Sequence, residues 1–472
     1  MGIPKDMIGG LSKNLVGFLF ESVVENPIKA TFSSKTKVEV TRDMYDERYG
    51  TVVKTPGCYH EWRELGPKDH KVKCLICVPQ KWLDLKDPDA KRPVFYYIHG
   101  GGWCYFNTQC FCNFLQYLAL KLNVVVISPE YRLAPENPYP SGLDDCYSVL
   151  TDLLLHPERP LPVLGALLNL DISNRLIIGG DSAGGNLSAA NLVRLVQKFY
   201  PENPEAPRLL GACLVYPVLQ NVTNMLPSLQ YKTTMASSTI NSMMDLSSKY
   251  WGELDLGRKE CGKLADDAEN TDQKDHPMHQ LYQNMNPEKY LARVDKEYTK
   301  QEGKTYKAIC DESYLKKKSG KRAKYSPHPK LYAQMKNPEI SPCAADDEVF
   351  EAIVKYGPKF IYTMGCEYCG LRDEGLIYME RLREQSNQNK DRYFYSTADL
   401  CIHGWLTGST SWGNGEPVPN ASETGKVANA RRQWNELCEE WADRIQARIL
   451  DRADEVIPLV ERISKLRAND DQ

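Results

Sequence analysis

The stretch that most limits what this chain can fold into runs from Arg175 to Asn191 and reads RLIIGGDSAGGNLSAAN. Ile177 and Ile178 end a short apolar strand, and Gly180-Asp181-Ser182-Ala183-Gly184 follows at once. Beyond it, Leu187, Ala190, Leu192, Leu195 and Val196 recur at the spacing of one helix face. The order is strand, sharp turn, helix, with a serine at the apex and a glycine two positions to each side. A turn this tight leaves no room for side chains at the glycine positions, and its strain lifts the serine hydroxyl clear of the sheet. The hydroxyl then sits over the positive end of the following helix, where developing negative charge is stabilised. Ser182 is the candidate nucleophile.

The flanking sequence supplies the sheet such a turn needs. Pro93 to Ile98 and Val124 to Ile127 are nearly continuous apolar runs, as expected of strands buried on both faces. Lys71 to Val78 reads as an edge strand, and Leu209 to Val215 as another interior one. Helical patterns cover Gln109 to Leu122 and Asp144 to Leu155. After a long interruption the alternation resumes with a strand at Lys359 to Thr363, a helix from Leu371 to Gln385 and a last strand at Arg392 to Ser396. Strands alternating with helices in this way predict an α/β fold with a mostly parallel central sheet covered on both faces.

The expected organisation is an N-terminal cover over residues 1–60, with a helix at Gly9 to Glu25, and a core formed by 61–219 and 348–472. Between the core halves, 220–347 forms a lid or cap insertion, partly irregular, because regular alternation stops there. It carries Asp266, Asp267 and Glu269 and a basic tract from Lys316 to Lys324, read as a solvated surface loop. Trp434, Leu437, Trp441, Ile445 and Ile449 fall on one face of a C-terminal helix expected to dock on the body.

A net charge of −3 gives no reason to expect nucleic acid or an acidic membrane as partner. No apolar run reaches the ~20 residues of a membrane-spanning helix. Without a recognisable leader, the fifteen cysteines read as reduced thiols of a cytoplasmic protein.

Serine is a weak nucleophile at neutral pH and needs a base, along with donors for the oxyanion that forms. Gly100, Gly101 and Gly102 leave a bare backbone at the end of an earlier strand, so their N–H groups and that of Ala183 can approach an oxyanion closely. Of the eight histidines, His403 follows the last strand, where a loop returns it towards Ser182. His99 reads as structural, and His276, His279 and His328 as exposed residues of the insertion. Cys366-x-x-Cys369 lacks a second pair, so no metal site is expected.

Taken together, His99-Gly-Gly-Gly-Trp103, Tyr131-Arg-Leu-Ala-Pro-Glu136, Gly180-Asp-Ser-Ala-Gly-Gly185, Leu371-Arg-Asp-Glu-Gly375 and His403-Gly404 resemble the hormone-sensitive-lipase-like α/β hydrolases. Within that family the chain is most similar to arylacetamide-deacetylase-like proteins, through Cys104, Ser341-Pro-x-x-Ala-Asp-Asp347 and Arg381-Leu-Arg383. The resemblance implies an α/β-hydrolase fold, a Ser–Asp–His triad, no cofactor and hydrolysis of lipophilic esters or acetamides, with a place in lipid metabolism. Carried over by motif, Ser182 is the nucleophile, His403 the base, and Gly101, Gly102 and Ala183 the oxyanion hole. It also matches Cys104 and Cys366 to cysteines of those proteins, paired in an oxidising lumen such as the endoplasmic reticulum or free as thiols in the cytosol.

One position departs from the pattern. The family's acid is the first residue of Asp-x-Leu-Arg-Asp-Glu-Gly, and here that position is Cys369. In other serine hydrolases, losing the acid with geometry intact costs ~10⁴-fold in turnover. Asp373, Glu367 and Asp399 are the nearby carboxylates that stand to replace it. Two functions therefore remain open: a serine esterase or deacetylase slowed by Cys369, or a catalytically impaired α/β hydrolase kept as a ligand-binding or interaction protein. Gibberellin receptors, which resemble the same family, are an instance of the second.

Overall fold

In the computed structural model, the described residues are 36–85, 87, 90–221, 226, 228, 240–252, 279–302, 329–404, 406 and 438–452. Eight strands make one sheet: β1 Cys58–Leu65, β2 Val72–Pro79, β3 Val94–Ile98, β4 Val125–Pro129, β5 Leu176–Asp181, β6 Gly211–Val215, β7 Phe360–Tyr368 and β8 Tyr393–Ile402. Their order across the sheet is β1-β2-β4-β3-β5-β6-β7-β8. β1 pairs antiparallel with β2 and β2 antiparallel with β4; all other neighbours are parallel. β3, β4, β5 and β6 are buried along their whole length, which explains their unbroken apolar sequences.

The sheet's edge lies one strand further out than the sequence predicts. Lys71 to Val78 corresponds to β2, which is interior; the edge is β1, inside the region expected to be cover and core entry. β1 (CYHEWREL) is mostly half-buried, and its mixed polarity hid it. The last two strands also run further than expected, to Tyr368 and Ile402. A small hairpin, Leu161–Val163 with Ala166–Leu168, was not foreseen.

The helices are α1 Lys37–Tyr49, α2 Cys112–Leu122, α3 Ser141–Leu155, α4 Ala183–Arg194, α5 Ile240–Trp251, α6 His279–Met285, α7 Pro287–Glu302, α8 Pro329–Lys336, α9 Asp347–Tyr356 and α10 Arg372–Gln385. The described parts of the segment between β6 and β7 are therefore largely helical. The expected helix at Gly9 to Glu25, the acidic and basic stretches at 266–269 and 316–324, and Trp434 and Leu437 lie outside the described residues. Trp441, Ile445 and Ile449 are buried; Trp441 packs near Phe95, with ring centroids 6.2 Å apart, so that face docks on the sheet. Among the described residues, no helix is long and apolar enough to cross a membrane.

Arg194, at the end of α4, ties the helix behind Ser182 to the returning chain. Its guanidinium makes a paired contact with Glu339 (2.9 and 2.6 Å) and a third with Asp144 of α3 (2.6 Å). Burial acts to raise the Glu339 carboxyl, but Arg194 and the Tyr139 hydroxyl hold it below the usual carboxylate range. Removing one partner of such a buried pair strands the other charge. Arg194→Ala should therefore lower the unfolding free energy by about 3–5 kcal/mol in urea titrations, and a loss under 1 kcal/mol would show the bridge to be incidental.

Candidate active site

β5 and α4 meet at Ser182, whose backbone has φ +54° and ψ −118°, a conformation that L residues rarely hold outside functional turns. The neighbouring backbone explains the glycines. A Cβ on Gly180 would lie 2.2 Å from the Ile98 carbonyl oxygen, and one on Gly184 2.0 Å from the same atom. The strained residue is held by the Ser182 N–H donating to Val215 O at 2.9 Å and by Asn186 N–H donating to Ser182 O at 3.0 Å. Asn186 also donates through its amide to Val218 O and Ile340 O. The serine side chain is left at the sheet's C-terminal end, where ligands bind in folds of this kind.

β8 delivers His403 to that point: Ser182 Oγ lies 2.8 Å from His403 Nε2. The imidazole packs edge-on to Tyr216, ring centroids 4.7 Å apart. On its other side, Nδ1 lies 3.2 Å from Cys369 Sγ. Cys369 Sγ thus faces the ring nitrogen opposite the one that faces Ser182. Of the three nearby carboxylates, Asp373 is buried in α10 and accepts the Ser228 N–H at 2.7 Å. The side chains of Glu367 and Asp399 lie outside what the structure describes.

The glycine loop follows β3. Gly101 and Gly102 have φ of +116° and +59°, left-handed conformations that favour glycine, and Ala183 begins α4 directly after the serine. Helix α1 and the loop before α3 brace this loop from outside. Arg42 donates to the carbonyls of Cys104 and Ala134, each at 2.8 Å, and pairs with Glu136. His99 is structural, as expected: its Nδ1 lies 2.7 Å from Gly100 O and its ring stacks on Tyr131. Cys104 and Cys366 are both buried and are not joined by a disulfide.

Asp181 and Arg42 are two residues of the site that the sequence pattern leaves without a role. Asp181 Oδ1 accepts the Gly100 N–H at 2.9 Å and the Tyr97 hydroxyl at 2.8 Å. One carboxylate thus joins the glycine loop to the residue before the nucleophile. Its adjacency to Ser182 was a visible signal; its partners were not. Arg42, within a helix of mixed polarity, gave no signal at all.

The chain matches the family model described as the alpha/beta hydrolase fold over residues 95–273. The chain has the α/β-hydrolase fold. It is 29% identical to the arylacetamide deacetylase of Bos taurus over 336 residues, covering 70% of this chain and 71% of that one. It is 36% identical to a tuliposide A-converting enzyme of Tulipa gesneriana over 132 residues, which cover 28% of this chain and 33% of the plant protein. Among solved structures, a thermostable esterase from Pseudomonas putida superposes with a TM-score of 0.54 at 16% identity, covering 94% of this chain and 99% of that one. The likeness to the deacetylase agrees with the resemblance that its motifs pointed to.

Burial raises the Asp181 carboxyl to about 6, against the pull of Tyr97, Gly100 and His403. A folded-state value above the unfolded ~3.9 means that ionising Asp181 costs the folded state stability as pH rises. That decline should span about pH 4 to 6. Asp181→Asn should flatten it in thermal melts taken across those pH values, and an unchanged slope would show that Asp181 is not its source.

Proposed function

We propose that this α/β hydrolase cleaves carboxylic esters or acetamides through an acyl-enzyme on Ser182. The observation that carries the reading is the 2.8 Å contact between Ser182 Oγ and His403 Nε2 on a strained strand-to-helix turn. As Oγ bonds to the substrate's carbonyl carbon, its proton passes to Nε2. The N–H groups of Gly101, Gly102 and Ala183 receive the oxyanion; one such donor is worth ~2.7–4 kcal/mol in related chemistry. His403 then returns the proton to the departing alcohol or amine. In the second half the imidazole takes a proton from water, the hydroxide oxygen attacks the acyl carbon, and Ser182 leaves with that proton.

The walls support small lipophilic substrates. Leu246 of α5 packs on Gly102 so closely that a Cβ there would meet it at 2.5 Å. Trp103 stacks on Tyr250, ring centroids 4.4 Å apart and nearly parallel, so an apolar cap helix lies directly against the oxyanion loop. A side chain this close to the loop leaves little room beside it, which favours short acyl chains. The deacetylase and esterase names of the relatives agree with this class of substrate.

A fluorophosphonate probe should label Ser182, and Ser182→Ala should abolish both labelling and p-nitrophenyl acetate hydrolysis. A folded wild-type protein that neither labels nor turns over ester favours the ligand-binding alternative. Leu246→Ala should raise kcat/KM for hexanoyl over acetyl esters by ~10-fold, the scale of a pocket change of one or two carbons. An unchanged ratio would remove α5 from the acyl pocket.

A further inference from the structure

We propose that Cys369 acts as a thiolate in the place of the triad acid, so that the site works as Ser182–His403–Cys369. Cys369 is a positioning residue: it acts through His403 and touches no substrate. The inference rests on the hydrolase reading of Ser182 and His403.

The geometry argues first. For His403 to accept the Ser182 proton, Nε2 must be bare, so the neutral ring must carry its hydrogen on Nδ1. Nδ1 then donates, and the atom facing it at 3.2 Å is Cys369 Sγ. The sulfur also receives the Leu371 N–H at 3.4 Å and the Cys366 thiol. These groups face one fully buried sulfur. A thiol in that position would have to turn its own hydrogen towards one of them, and a bond to Nδ1 would set the wrong tautomer. A thiolate satisfies them all, and sulfur's larger radius suits a contact longer than a carboxylate would make.

The electrostatics agree. Burial acts to raise the Cys369 thiol, but hydrogen bonding from Cys366 and Leu371 and the facing His403 draw it well below its ordinary value. Lowered thiols elsewhere arise from the same pairing with imidazole. Among the described residues, the other ionisable groups around the pair are Cys366 on β7, Tyr216 after β6, Asp181 on β5, and Arg372, Asp373 and Glu374 on α10. Burial pushes Tyr216 and Glu374 far up, which favours their neutral forms. In the acylation step the proton leaving Ser182 binds Nε2 while the Nδ1 hydrogen stays on the ring. The imidazolium so formed lies beside the thiolate, which does for it what a carboxylate does in the usual triad.

The tautomer can be read directly on wild-type enzyme with nitrogen-15-labelled histidine, His403 being assigned from its absence in His403→Gln. At neutral pH an Nδ1–H, bare-Nε2 resonance pattern is expected; Nε2–H with bare Nδ1 would overturn the proposal. Kinetics on three variants then separate charge from packing. Cys369→Asp should keep kcat within ~10-fold of wild type or raise it, whereas Cys369→Ser and Cys369→Ala should lose ~10²–10⁴-fold. Serine keeps the shape but stays neutral. Without the anion the pair holds its extra proton less firmly, so the acidic limb of kcat/KM should move to lower pH in Cys369→Ser. A serine variant as fast as wild type, or a slowed one whose limb has not moved, would mean that the thiolate charge is not used. Fluorophosphonate labelling of the wild type keeps the two readings apart. If Ser182 fails to label, the hydrolase reading falls; if it labels and the serine variant is unimpaired, only the role of Cys369 falls.

Discussion

Everything at this site depends on one strained residue. Ser182 is held at φ +54° between a strand buried along its whole length and a helix buried against the sheet. Backbone in that region costs on the order of 1–3 kcal/mol, and it persists because its surroundings leave no alternative. The Ile98 carbonyl crowds the glycines two positions to either side, Val215 O takes the serine N–H, and Asn186 pins the first turn of the helix to two distant carbonyls. The hydroxyl is thereby placed where a histidine from the last strand can reach it, more than two hundred residues later in the chain.

The rest of the site is assembled around that point by buried polar contacts. Asp181 links the turn to the glycine loop through Gly100. Arg42 braces the outer side of the same loop. Arg194 and Glu339 fasten the far end of the helix to the segment that leads into β7. Arg381 adds a second fastening, donating to the carbonyls of Cys343 and Ala345 and pairing with Asp347. The Ser341-to-Asp347 motif is thus a clasp between the returning chain and α10.

Much of this was legible in the sequence because it was local. The turn announces itself in consecutive glycines, the glycine loop in His99 to Gly102, and the interior strands in unbroken apolar runs. What escaped was set by how the elements pair and pack. β1 is half-buried and polar enough to pass for a cover segment, and only its pairing with β2 makes it a strand. Asp181 was in plain view, yet nothing local shows that it accepts from Gly100. Cys369 is the sharpest case. Its position marked it as a departure from a familiar pattern, and a missing carboxylate reads as a loss. The structure adds what sequence could not: the sulfur lies against Nδ1 with other donors aimed at it. Asp373, which from spacing alone stood as a substitute acid, is already engaged with Ser228.

The central claim is that Ser182 attacks the acyl carbon. Rapid-quench mass spectrometry during p-nitrophenyl acetate turnover tests it most directly, because it looks for the intermediate itself. The account predicts a transient gain of one acetyl group on the peptide containing Ser182, formed and lost at rates that match turnover. Steady turnover with that peptide unmodified, or with the acetyl carried on a cysteine, would contradict it.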